Sequence, residues 1–166
     1  QEKVKGVEVS FTVSVGPGGK SVGICTVFEH KRAYDGDMGP MTAEMGSLIL
    51  AGVPDVGMEM YDKLQPELER ISFTGMLDIN CMMDVDTGDL WFIEFTARFG
   101  DPTTEIWVPM IDGDLGQLLY HWANGDLVEP KFRHACGIGV VVAGGGYPFE
   151  GQVKQGLPIT FKNGEL

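Results

Sequence analysis

Two alternating runs, residues 76–85 and 90–97, flank Asp86-Thr87-Gly88, and the pattern predicts a β-hairpin. A three-residue loop with Gly88 left-handed would set Asn80 opposite Glu94 and Asp78 opposite Thr96. Side chains alternate between faces along a strand. The odd face then reads Leu77, Ile79, Cys81, Met83 and Val85 with Trp91, Ile93, Phe95 and Ala97, and should pack on helices. The even face reads Met76, Asp78, Asn80, Met82 and Asp84 with Leu90, Phe92, Glu94 and Thr96. It clusters the oxygen-bearing side chains a hard cation such as Mg²⁺ takes. A loop of even length would separate Asp78 from Glu94. A half-solvated surface hairpin shows the same alternation. What sets this one apart is its exit, Ala97-Arg98-Phe99-Gly100-Asp101-Pro102, where charge and turn residues crowd the end of a strand.

The rest of the chain yields elements of the same kind. Residues 7–15 read as a strand, 16–19 as a turn and 21–28 as its hairpin partner, so an antiparallel sheet is expected. Residues 29–46 carry charges, Gly and Pro with little periodicity, and are expected to be a long functional loop. In it, His30-Lys31-Arg32 and a Gly39-Pro40 turn offer groups for an anion, while a solvated charge run with weak ion pairs reads equally well. A helix should start at Pro54-Asp55, present Val56, Met60, Leu64, Leu68 and Ile71 on one face, and be kinked or divided at Pro66. Residues 98–112 are expected to be a loop with Trp107, Val108 and Met110 as core anchors. Leu115, Leu118, Leu119 and Trp122 mark a short helix, capped by Asp112 or Asp114 and closed near Gly125. His121 reads as a helix-surface residue, residues 129–134 as a linker, and 135–143 and 153–161 as strands. Gly144-Gly145-Gly146 reads as a tight strand exit.

Composition narrows the function classes. The net charge of −12 argues against a nucleic-acid surface, which must be basic. Cys25, Cys81 and Cys136 are scattered in apolar runs and read as reduced core thiols in a cytoplasmic setting. No signal peptide, lipidation motif or long apolar run suggests a membrane. Both ends of the 166 residues look cut, which suggests part of a longer protein.

Four segments together resemble a known family: Gly6-Val7-Glu8-Val9-Ser10; the loop from His30-Lys31-Arg32 through Asp35-Gly36-Asp37 and Gly39-Pro40 to Met45-Gly46; Ile93-Glu94-Phe95-Thr96-Ala97-Arg98-Phe99-Gly100-Asp101-Pro102; and Val141 to Pro148 with Gly156-Leu157-Pro158. In order and spacing the chain is similar to the phosphoribosylamine–glycine ligases (glycinamide ribonucleotide synthetases), which are ATP-grasp enzymes. The resemblance implies an α+β fold. Residues 1–130 would be the C-terminal half of the ATP-grasp core, and 131–166 the start of a small β-rich C-terminal domain. The N-terminal domain and the ATP-gripping lid of the same enzyme would lie upstream.

The resemblance also implies a reaction. Glycine, phosphoribosylamine and ATP would be the substrates, and ATP with Mg²⁺ (or Mn²⁺) would convert the glycine carboxylate to an acyl phosphate that the amine attacks. It implies Glu94, Thr96 and Asp78 as metal ligands and Arg98 and Asp101 as catalytic groups. Lys31, Asp37, Gly39 and Pro40 would form the substrate and phosphate region, and Met82 would lie against adenine. The isolated piece, lacking the lid, would be inactive. The chain departs from the pattern in places. Thr96 stands where the family signature has Asn, and Thr103 where it has Glu. Met41, Ala43 and Glu44 replace an Asn and two Gly of the family's glycine-rich loop. Asp78 and Asn80 stand where the family is plainer, as if the metal site had shifted. The alternative is a substrate-altered or non-catalytic ATP-grasp-like module that binds nucleotide or a partner only.

Overall fold

The computed structural model describes residues 4–154 and 156–160. Its centre is a six-stranded antiparallel sheet in the order β5-β4-β1-β2-β3-β6. The strands are β1 (Gly6–Val15), β2 (Ser21–Tyr34), β3 (Met38–Ala51), β4 (Gly75–Asp84), β5 (Leu90–Thr96) and β6 (Cys136–Val140). Helices cover both faces: α1 (Asp55–Arg70) on one, α2 (Thr103–Trp107) and α3 (Leu115–Ala123) on the other.

The α1 face is apolar because β1 and β4 alternate in phase. Val9, Phe11, Val13, Leu77, Ile79 and Cys81 are buried there against Tyr61 and Leu68. The buried face of α1 includes most of the one expected: Leu68 is buried and Met60 and Leu64 pack on the same core, joined by Gly57 and Tyr61, while Val56 and Ile71 at its ends are half-exposed. Gly57 packs on Phe11, where a Cβ would fall 2.8 Å from the ring. The Tyr61 hydroxyl lies 2.5 Å from the Phe11 carbonyl and 2.9 Å from that of Leu77, pinning the helix to two neighbouring strands. α1 runs on through Pro66 and is not divided there.

The opposite face is mixed. Val22, Cys25, Val27 and Ile49 pack under Ile106, Trp107, Met110, Leu118 and Trp122. The loop expected over residues 98–112 therefore contains α2 and a 3₁₀ turn (Val108–Met110), with Trp107 and Met110 buried as anticipated. Asp114 caps α3, its carboxylate accepting from the Gln117 amide at 3.0 Å. Cys25 and Cys81 are buried thiols, whereas Cys136 is exposed, against the core position expected for it.

Two further expectations, the loop over 29–46 and the strand over 153–161, are not met among the described residues. Residues 29–46 are no loop: β2 and β3 form a long ribbon from Cys25↔Ala51 to Tyr34↔Met38, turning at residues 35–37. Its charges sit on strands, so hydrophobic alternation hid it. Residues 136–140, placed beyond a boundary at 130, pair with β3 in the same sheet. The strand expected over 153–161 is absent from its described residues, 153–154 and 156–160; residues 155 and 161 lie outside them.

Candidate functional site

The β4–β5 hairpin keeps the expected register at its working end, for an unexpected reason. Asp84 pairs with Asp89 and Met83 with Leu90, so the loop spans four residues, with Gly88 at φ 76°. That even length alone would put Glu94 on the α1 face. A bulge between Asn80 and Cys81 on β4 takes up one extra residue of β5, and beyond it Asn80 pairs with Glu94 and Asp78 with Thr96. Near the turn the faces are consequently the reverse of those expected. Phe92 lies opposite Cys81 on the α1 side, and Trp91 lies opposite Met82 on the other.

Behind this hairpin, on the side of α2, lies a polar cavity of about 380 Å³. β1 contributes Ser10, β2 Glu29 and Lys31, β3 Met41, Thr42, Ala43 and Glu44, β4 Asp78 and Asn80, and β5 Glu94 and Thr96. Arg98, Gly100, Asp101 and Thr103 close it from the strand exit. Of the residues singled out from sequence, Lys31, Asp78, Glu94, Thr96, Arg98 and Asp101 meet here. Asp37, Gly39 and Pro40 do not line it; they belong to the far end of the β2–β3 ribbon, where the Arg32 guanidinium donates to the Gly39 carbonyl at 2.9 Å. Met82 also lies outside the lining, one step further along the Asp78–Asn80 face, with exposed Trp91 opposite it. Glu29 and Ser10 are cavity residues that sequence reasoning missed; their period-two relation to Lys31 and Glu8 was the available signal.

The chemistry is that of oxygen atoms with few competing donors. Asp78 is buried at 6% exposure, and its Oδ1 has no hydrogen-bond partner. Burial pushes its carboxyl up to about 6; the Thr12 hydroxyl opposite pulls the other way, Glu29 adds to the rise and Arg98 opposes it. No hydrogen bond of ordinary geometry closes between Thr12 and Asp78, for the Thr12 hydroxyl is unpartnered too. The Asn80 amide donates to the Thr96 hydroxyl at 3.2 Å, a bond that leaves its side-chain oxygen unused. Lys31 is held by Glu8 at 2.5 Å and Glu29 at 3.2 Å. Burial alone would lower the Lys31 pKa, but those two carboxylates outweigh it and hold the ammonium above its usual range. Arg98 is exposed and donates to the Phe99 carbonyl at 3.0 Å.

Among the described residues no three His, Cys, Asp or Glu side chains converge into a closed metal cage. The donor set nevertheless fits a hard divalent ion shared with a ligand. Two carboxylates, Asp78 with its unpartnered buried oxygen and Glu94, flank a hydroxyl and an amide. Magnesium sites that use substrate phosphates commonly take one or two protein carboxylates. A second cavity of about 430 Å³ opens on the α1 side between that helix and the hairpin, but it is lined mainly by Val56, Met60, Leu64, Ile79, Phe92 and Phe95 and offers no such cluster.

Known proteins resemble this chain in sequence and in fold. Residues 1–104 match the family model described as "Phosphoribosylglycinamide synthetase, ATP-grasp (A) domain". The chain belongs to this family. Curated phosphoribosylamine–glycine ligases share 35% identity with it in Vibrio cholerae and 32% in Halalkalibacterium halodurans, over 99% and 96% of this chain. The crystal structure of phosphoribosylamine–glycine ligase from Thermotoga maritima superposes with a TM-score of 0.72 at 30% identity, covering 89% of this chain and 39% of that one. The phosphoribosylaminoimidazole carboxylase ATPase subunit from Aquifex aeolicus, at 14% identity and a TM-score of 0.60, shares the fold. The chain has an α+β fold of the ATP-grasp type and spans about two fifths of the length of the ligases it matches.

Proposed function

We propose that this chain is the C-terminal half of the catalytic core of an ATP-dependent carboxylate–amine ligase. The reaction is the joining of glycine to 5-phosphoribosylamine, giving glycinamide ribonucleotide, ADP and phosphate through an acyl phosphate. The observation that carries the reading is the meeting of Asp78, Glu94, Arg98 and Asp101 around one cavity in a chain of this family.

Phosphoryl transfer needs positioning and charge stabilisation more than covalent help. Asp78 and Glu94, with the Thr96 hydroxyl and the Asn80 amide oxygen beside them, would hold Mg²⁺ or Mn²⁺. When bound, that ion neutralises charge on the ATP phosphates. Arg98 is free to swing its guanidinium from the Phe99 carbonyl onto a phosphoryl or carboxylate oxygen, a planar two-point match. Asp101 faces the cavity from the strand exit and is placed to orient the attacking amine. Lys31, fixed by two glutamates, offsets negative charge without moving. Met82 and Trp91 form an apolar ledge beside the polar cavity, suited to a flat base. Asp37, Gly39 and Pro40 would take part only if the ribbon end meets a segment outside this chain.

The complete enzyme would include an N-terminal part of the same protein bearing the ATP-gripping lid. It would act in the cytoplasm on small molecules, without nucleic acid or membrane. No helix among the described residues is long and apolar enough to cross a membrane. We place the start of a C-terminal domain after β6 rather than at 131, since β6 belongs to the central sheet. In the complete protein, Glu94→Ala should abolish Mg²⁺-dependent ADP formation; unchanged turnover would remove the metal assignment. The 166-residue chain alone should show no ligation.

A second reading, a substrate-altered or non-catalytic nucleotide-binding module, is favoured by Thr96 and Glu44 at positions where the family carries Asn and Gly. Nucleotide binding by the complete protein without any glycine-dependent ADP release would select it.

A further inference from the structure

The mechanism above makes no use of Glu44, yet this carboxyl lines the cavity from β3. The Ser47 hydroxyl donates to its Oε1. Glu29 of β2, Asp101 of the strand exit and Glu8 of β1 face it as like charges, and Lys31 is the cation that faces it. Lys31 is already bracketed by Glu8 and Glu29 and has little charge left to offer. Elsewhere around the cavity, Asp78 and Glu94 add negative charge and Arg98 the second positive one. The lining thus sets five carboxylates, Glu29, Glu44, Asp78, Glu94 and Asp101, against two cations, with Glu8 just outside it, and an anionic substrate entering beside Glu44 would add to the excess.

We propose that Glu44 is a specificity-determining residue that admits an anionic substrate group, carboxylate or phosphomonoester, to its end of the cavity only while it carries a proton. The inference rests on the ligase reading for the presence of such groups but uses no turnover. Burial first, then Glu29, Asp101 and Glu8 against the opposing pull of Lys31, push the Glu44 carboxyl up to about 8, so the protonated form is populated near neutrality. A substitution of Glu for a small neutral residue would otherwise be a plain loss of anion binding; the surrounding acids turn it into a proton-linked gate.

The test is the binding of ribose 5-phosphate and, separately, glycine to the full 166-residue chain by calorimetry at pH 7.0 and 9.5. If ionised Glu44 excludes the ligand, affinity falls by up to tenfold per pH unit above the Glu44 midpoint of about 8, so at least one of the two probes should bind about thirtyfold more weakly at pH 9.5 than at pH 7.0. In Glu44→Gln the same probe should change by less than about twofold, since a neutral amide stays in place at both pH values. The probe that shows the slope identifies which anion Glu44 gates. An equal slope in the variant, or no saturable binding of either probe at pH 7.0, overturns the proposal. A measurement on the unaltered chain guards against a misfolded variant. The ¹³C signal of the Glu44 carboxyl should titrate with a higher midpoint when the bound probe saturates it, and an unmoved midpoint also overturns the proposal. Failure here would leave the Glu94 result untouched, so the gate and the ligase reading fall separately.

Discussion

Glu44 also makes a prediction about stability. Its folded-state pKa lies above its ordinary value, so the folded protein binds its proton more tightly than the unfolded chain does. The contribution is fully present below about pH 4.5 and is lost as pH rises through about 8. Glu44→Gln should therefore leave stability nearly unchanged at pH 4.5 and raise it at pH 9. For a half-buried, solvent-screened group the gain is about 1–2 kcal/mol, to be read from urea midpoints at the two pH values. A gain of equal size at both would contradict the like-charge account. Residue identity was legible here only in part. Glu94, Arg98 and Asp101 stood out because they crowd one strand end. Glu29 and Ser10 did not, because a polar residue among strand-formers looks the same whether it faces water or a cavity.

At the scale of elements, the hairpin holds two departures from expectation that cancel. The turn is one residue longer than expected, and a bulge absorbs one residue of β5, so Glu94 still faces the cavity. Hydrophobic alternation could not reveal this, since Trp91, Phe92 and Ile93 are all apolar and satisfy either register. Deleting Ile93 should remove the bulge while leaving Glu94 opposite Asn80; cross-strand NMR contacts between those two residues should survive, and their loss would show that the bulge itself sets the register. Residues 29–46 of the β2–β3 ribbon were illegible for a different reason: there the strands spend most of their alternating positions on cavity and solvent groups rather than on a core. α1 was legible in extent and in most of its buried face; Tyr61 was missed because it is buried through its hydroxyl contacts as well as its ring. Tyr61→Phe removes the donor serving the Phe11 and Leu77 carbonyls and should cost about 1–2 kcal/mol in denaturant unfolding, with little change in the α1 circular-dichroism signal.

For the whole molecule, β5 is an edge strand whose Trp91, Phe92, Ile93 and Phe95 are about half exposed. An apolar edge of this kind invites pairing with another chain. The isolated chain should self-associate at micromolar concentration, and Ile93→Lys should reduce light scattering without shifting the unfolding midpoint by more than about 0.5 kcal/mol. Antiparallel topology followed from two hairpin signals, β4–β5 at one edge of the sheet and β1–β2 at its centre. The inclusion of β6 did not, because a five-residue run of Cys, Gly, Ile, Gly and Val offers no sign of which strand it will join.

The clasp on Lys31 has a chemical corollary. An amine acylates only through its uncharged form, and here two glutamates hold the proton in place. Treated with a limiting amount of acetic anhydride, the protein should label solvent-facing Lys20 and Lys63 long before Lys31. The lag would disappear on unfolding, making this one side chain a covalent reporter of whether the interior of the cavity is intact.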